Sequence, residues 1–167
     1  MEERPKLKLE LTKTDKIVEI TGWFSVAAIW SLIIITYNNL PNIIPIHYNI
    51  TGEINRHGGK INILLLPLTA TVIFVGLTIL NKFPHIFNYL NNITKENALR
   101  YYTEATKLIR SLKLLFVIIF GFLEFGTIQV ATGKADGLGT WFLLSMIGVC
   151  FIPLLLINFY VKSSRVT

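Results

Sequence analysis

The sequence predicts an all-α membrane fold, a bundle of four spanning helices with an amphipathic helix attached, and three observations point to it. Apolar residues gather into four long blocks, cations gather into alternate connections, and one connection repeats apolar residues at helical spacing. A mean hydropathy of +0.55 with 16% charged residues leaves too little polar chain to cover four such blocks in water.

The blocks occupy residues 17–37, 61–80, 114–130 and 140–161. A bilayer core about 30 Å thick takes roughly 20 helical residues to cross, so each block is long enough. Residues 1–16 form a polar N-terminal arm with no small-residue cleavage site after the first block, so no removable signal peptide is expected. Residues 162–167 form a short polar tail.

Orientation follows from the cations. The arm holds five Lys or Arg, the connection 81–113 six and the tail two, against Arg56 and Lys60 in the first connection and Lys134 in the third. Positive charge stays in the cytoplasm, so both termini and connection 81–113 are expected inside the cell membrane and residues 38–60 outside. The net charge of +6 reflects this bias and attraction to anionic lipid, the bilayer being the first partner. No basic face with stacking aromatics marks a nucleic-acid binder. Cys150 is the sole cysteine, a small apolar filler that cannot build a disulfide or cysteine metal cluster within the chain.

Connection 81–113 opens as a loop around Pro84, with a helix start expected at Thr94. Ala98, Tyr101, Ala105, Leu108 and Leu112 then recur at three- and four-residue steps along one face. Glu96 and Arg100 form an i, i+4 pair. The stripe is narrow, as a packing seam is, and the helix is expected to run into the third span. Its alternative role is docking a cytoplasmic protein or the membrane surface.

Pro67 and Pro153 inside the spans are expected to kink their helices. Glu124 costs at least ~2.5 kcal/mol at the centre of a membrane helix, so it should face the bundle. Counting from the end of its span places it roughly 9 Å below the outer boundary.

The first connection reads LPNIIPIHYNITGEINRHGGK from Leu40 to Lys60. Pro41 and Pro45 forbid an ordinary helix there, and Gly52, Gly58 and Gly59 permit positive φ or close approach, so the loop is expected to hold one ordered shape. Asn49-Ile-Thr and Asn92-Ile-Thr match the glycosylation sequon, a pattern too short to count as more than weak evidence. The pattern Leu40-Pro41-x-x-Ile44-Pro45-x-His47, then Asn49, Gly52, Asn55 and Gly58-x-Lys60, resembles the signature of the DUF1648 family of bacterial membrane proteins. This chain has Asn55 where that family usually has Asp, and His57 where it often has Trp. Because the family includes the immunity protein of a sporulation-delaying toxin, the resemblance implies toxin immunity or envelope sensing, with an external peptide or lipid-like ligand.

A polar pocket is expected under the loop, with His47, Glu53, His57 and Lys60 above and Glu124 below. No cofactor is expected; a divalent ion such as zinc on His47, His57 and Glu124 is the weaker alternative, since ten residues between the histidines match no tight ligand motif. No nucleophile elbow, His-Glu-x-x-His or phosphate loop appears, and no catalytic residue is identified. Two function classes therefore stand: a binding module, in which Pro41, Pro45, His47, Asn49, Gly52, Asn55, Gly58 and Lys60 shape or contact the ligand, and a small transporter or membrane-embedded enzyme using Glu124 and the loop histidines. Either could act as a homo-oligomer.

Overall fold

The structure is a computed structural model that describes residues 4–145, 147, 148, 151, 152 and 155. Three helices carry it: α1 (Lys13–Thr36), α2 (Leu65–Leu80) and α3 (Ala98–Ala131). With their adjoining 3-10 turns they form stretches of 27, 21 and 34 residues, each long and apolar enough to cross a membrane. Exposed apolar side chains such as Phe24, Ile34 and Val72 line the bundle's outer surface. That surface would be an aggregation hazard in water and suits lipid instead. In the fourth block residues 140–145, 147, 148, 151, 152 and 155 are helical, while Cys150 and Pro153 lie outside the described residues.

The purely α-helical expectation is corrected between α1 and α2. There the chain forms an antiparallel hairpin of β1 (Ile43–Tyr48) and β2 (Ile54–Gly59), flanked by 3-10 turns at Tyr37–Asn39 and Lys60–Leu64. The β-branched, proline-interrupted run IIPIHY cannot propagate a helix and instead pairs with the chain returning beyond the turn.

Pro67 is buried but does not break a helix. α2 begins at Leu65, so Pro67 falls in the first turn, where the amide it lacks would have no intrahelical partner. The expected start of the amphipathic helix also moves. Asn97 is the residue before α3, and its side chain accepts from the Thr94 amide, which holds residues 94–97 as a turn. With the helix starting at Ala98, Glu96 precedes it, and Arg100 pairs with Glu104 at 3.2 Å within the helix. From Ala98 the helix runs unbroken into the third block, as expected.

α3 packs against both α1 and α2. Near mid-bundle Val26, Ile29, Ala70, Phe74 and Val117 form one core cluster, and Ile33, Leu40, Ile44, Ile63 and Ile128 form another beneath the hairpin. Gly22 makes the α1–α2 contact feasible, because a methyl group there would overlap the Phe74 ring. Trp23 meets that ring edge-on at 5.0 Å, and the Trp30 indole donates to Thr71 Oγ1 at 3.0 Å. At the far end Ile93, Ala98 and Tyr102 are covered by Leu9 and Tyr89. Arg4 holds the arm there, donating to the carbonyls of His85 and Phe87 and lying 5.6 Å from the Tyr89 ring centre.

Candidate functional site at the hairpin end

The hairpin is fixed from its turn outward. Asn49 Oδ1 accepts from the Thr51 amide and hydroxyl and from the Glu53 amide, while its Nδ2 donates to Glu53 Oε2 at 2.7 Å. One side chain thus replaces the backbone bonds that an irregular turn lacks. Gly52 follows with φ +82, a left-handed conformation that a Cβ disfavours.

Pairing runs from Ile43↔Gly59 to Tyr48↔Ile54 with two irregularities, which leave Ile46 on β1 and Asn55 on β2 as extra residues. Each bulge re-aims the side chains around it. Asn55 Oδ1 comes to 2.7 Å from His47 Nδ1, so two of the sequence-identified residues form a pair on the exposed face. Gly58 is a close-approach position, since a Cβ there would come within 2.8 Å of Ile46, whereas Gly59 has open space. Pro45 is buried within β1, Pro41 is exposed before it, and Lys60 Nζ lies 4.9 Å from the Tyr37 ring centre.

A second segment, absent from the expected site, clamps this hairpin. The Leu138 amide donates to Gly52 O at 2.8 Å, and Glu53 bridges Gly137. Gly137 packs so closely that a Cβ would lie 2.6 Å from Gly52 O, and Gly139 has φ +70. The sequence signal was present in the run Gly133-Lys-Ala-Asp-Gly137-Leu-Gly139, whose glycines reserve backbone space for a partner strand.

The expected pocket does not assemble. His47, Glu53 and His57 are exposed, while Glu124 is completely buried in α3. Among the described residues no three His, Cys, Asp or Glu side chains come together to hold a metal ion, so His47, His57 and Glu124 do not make a zinc site. The physical reason is strand alternation: His47 points away from the bundle, and its neighbour Tyr48 points inward. Tyr48, Thr127 and Glu124 meet instead. Burial, reinforced by the Glu124 carboxyl, pushes the Tyr48 phenol above its ordinary pKa, while Thr127 opposes the rise. The Tyr48 hydroxyl is buried against Thr127, and both Glu124 oxygens are buried without a hydrogen-bond partner among the described residues.

The opposite end holds a constellation that sequence reasoning missed. Asp15 and Glu19 on α1 face Arg110 and Lys113 on α3: Arg110 lies 3.2 Å from Asp15 and 3.3 Å from Glu19, and Lys113 lies 2.7 Å from Glu19. Lys113 also donates to Thr78 Oγ1 of α2 at 2.6 Å and sits 4.5 Å from the Phe74 ring centre. All three helices are thereby tied by one buried ionic cluster. Its signal was spacing, acids at i, i+4 on one helix and bases at i, i+3 on another, each set along a single face. The buried line of α3 accordingly runs through Ala98, Tyr102, Thr106, Arg110 and Lys113, not along the apolar stripe through Tyr101, Ala105, Leu108 and Leu112.

Residues 24–71, from mid-α1 through the hairpin into α2, match the family model of DUF1648, a domain of unknown function. An uncharacterized protein of Archaeoglobus fulgidus is 28% identical, over 47% of this chain and 47% of its own length. The chain therefore spans about half the length of the curated relative it matches. No solved structure matches.

Proposed function

We propose that the chain is a recognition module of the cell membrane, of the toxin-immunity or envelope-sensing kind, whose hairpin takes up an extended peptide from outside. One observation carries this reading. Among the described residues β2 pairs with β1 and, at its turn end, meets the single bridge from Glu53 to Gly137, so its other edge from Asn55 to Gly59 has no ladder partner. An ordered, unpaired edge is a template for adding a strand, where backbone bonds give affinity and alternate side chains give specificity. The turn end already takes backbone from another segment, with Gly137 bridging Glu53 and the Leu138 amide donating to Gly52 O. Exposed Ile43 and Ile50 on the hairpin offer apolar contact, and exposed Arg56 on β2 a charged one.

In this reading four helices span the membrane, with both termini and the first half of α3 in the cytoplasm, as the thirteen-to-three partition of cations supports. The cytoplasmic half of α3 would meet a protein partner or a second copy. The test is selection of displayed peptides on the full chain in lipid nanodiscs, followed by hydrogen exchange. Selected peptides should protect the amides of residues 54–59, and Arg56→Pro, which sets a proline into the edge strand, should weaken them about tenfold or more, roughly 1.4 kcal/mol. Peptides that bind without protecting this edge, or no binders at all, would sink the reading.

Transport or membrane-embedded catalysis is the second reading, favoured by the unpartnered oxygens of Glu124. Glu124→Gln separates the two: a peptide binder keeps its ligand, whereas a transporter or enzyme loses function.

A further inference from the structure

Glu124 is fully buried, two helical turns before the end of α3 at Ala131. Among the described residues neither of its oxygens has a hydrogen-bond partner, and the buried Tyr48 hydroxyl is set against Thr127. Tyr48 belongs to the hairpin and Glu124 to a spanning helix, so the buried Tyr48 hydroxyl and the buried Glu124 carboxyl lie at the joint between these parts, near enough for the carboxyl to act on the phenol. Thr127, also buried, lies on the adjacent turn of α3.

Among the described residues no positive charge is at hand to balance a carboxylate there. The buried residues that α1 and α2 supply to this half of the bundle are aliphatic, among them Ile29, Ile33 and Ala70. Residues 140–161 contain no charged side chain at all. Glu53, Lys134, Asp136 and both hairpin histidines are exposed, and Lys60 is engaged with Tyr37. Tyr48 is therefore the one titratable group facing Glu124 from the described elements packed against α3. The arrangement offers a carboxyl group two neutral hydroxyls and no cation.

We propose that Glu124 is a proton-binding site whose occupancy governs the seating of the hairpin through Tyr48. With the proton bound, the carboxyl is a neutral donor and acceptor beside two hydroxyls, and the joint stays closed. In the reverse step the carboxyl O–H bond breaks, the proton passes to water at the hairpin end, and the carboxylate remains on Glu124. Neither hydroxyl neutralises that charge, so its hydration requires the hairpin to lift and admit water. The inference stands apart from the peptide-binding reading, because it concerns the joint beneath the hairpin and not the β2 edge.

Infrared spectra of the full chain in nanodiscs test it. At neutral pH the wild type should show the carbonyl stretch of a protonated carboxylic acid, absent from Glu124→Gln and shifted in Tyr48→Phe. An apolar carbodiimide, which modifies protonated buried carboxyls, should label Glu124 in the unmutated protein, as read by mass spectrometry, and should do so less as pH rises. Loss of labelling should coincide with faster hydrogen exchange at Tyr48 and Leu138, corrected for the intrinsic pH dependence of exchange. An ionised Glu124 throughout, with no such band and no labelling, overturns the proton site. A band that Tyr48→Phe leaves unmoved, or hairpin exchange that ignores the titration, overturns the coupling.

Discussion

Lys113 is counted in the sequence among the cations of a cytoplasmic connection, yet its side chain is completely shielded and held between Glu19 and Thr78. Charge alone could not reveal this, because its partner acid is 94 residues away. Removing one member of a buried pair leaves the other uncompensated. Lys113→Ala should therefore cost about 3–5 kcal/mol, read as a lowered thermal midpoint in detergent. Joining it to Glu19→Gln should cost less than the sum of the two single changes, since the double variant buries no lone charge. Gly52 poses the opposite problem. A side chain at φ +82 is strained by about 1–2 kcal/mol, and Gly52→Ala would also crowd Gly139 O at 3.0 Å. The expected result is a folded bundle with a loosened hairpin, visible as faster exchange of the Leu138 amide.

At the scale of elements, the spanning helices were legible because hydropathy and length suffice to mark them. α1 starts four residues before the first block and ends one short of it, while α3 ends one residue past the third block but starts sixteen before it. The hairpin was only half legible: Pro41, Pro45 and Gly52 announce an ordered, non-helical segment, but two bulges decide that Tyr48, not His47, turns toward Glu124. Register of that kind depends on pairing, which no single strand encodes. Pro67 misled for a related reason, since its effect depends on where α2 starts, and the 3-10 turn at Lys60–Leu64 sets that. The α1–α2 contact yields its own prediction. Gly22→Ala should destabilise by about 1–3 kcal/mol through overlap with Phe74, and Phe74→Leu should recover part of the loss; denaturant midpoints of the two variants and their combination measure it.

For the whole molecule, the proposed topology makes a labelling prediction. Single cysteines at exposed Arg56 and Lys95, in a Cys150→Ser background, should differ: a membrane-impermeant maleimide applied to intact cells should modify the first and spare the second. Equal modification from outside would dismantle the topology. The length of α3 bears on how the two ends communicate. At 34 residues it extends roughly 51 Å, well beyond a bilayer core of about 30 Å. The ionic cluster grips it at Arg110 and Lys113, near its middle, while the hairpin rests on its last two turns. The helix is thus anchored by charge near its middle and by apolar packing towards both ends. A tilt of about 5° around the charged anchor would move the two tips by roughly 2 Å in opposite directions.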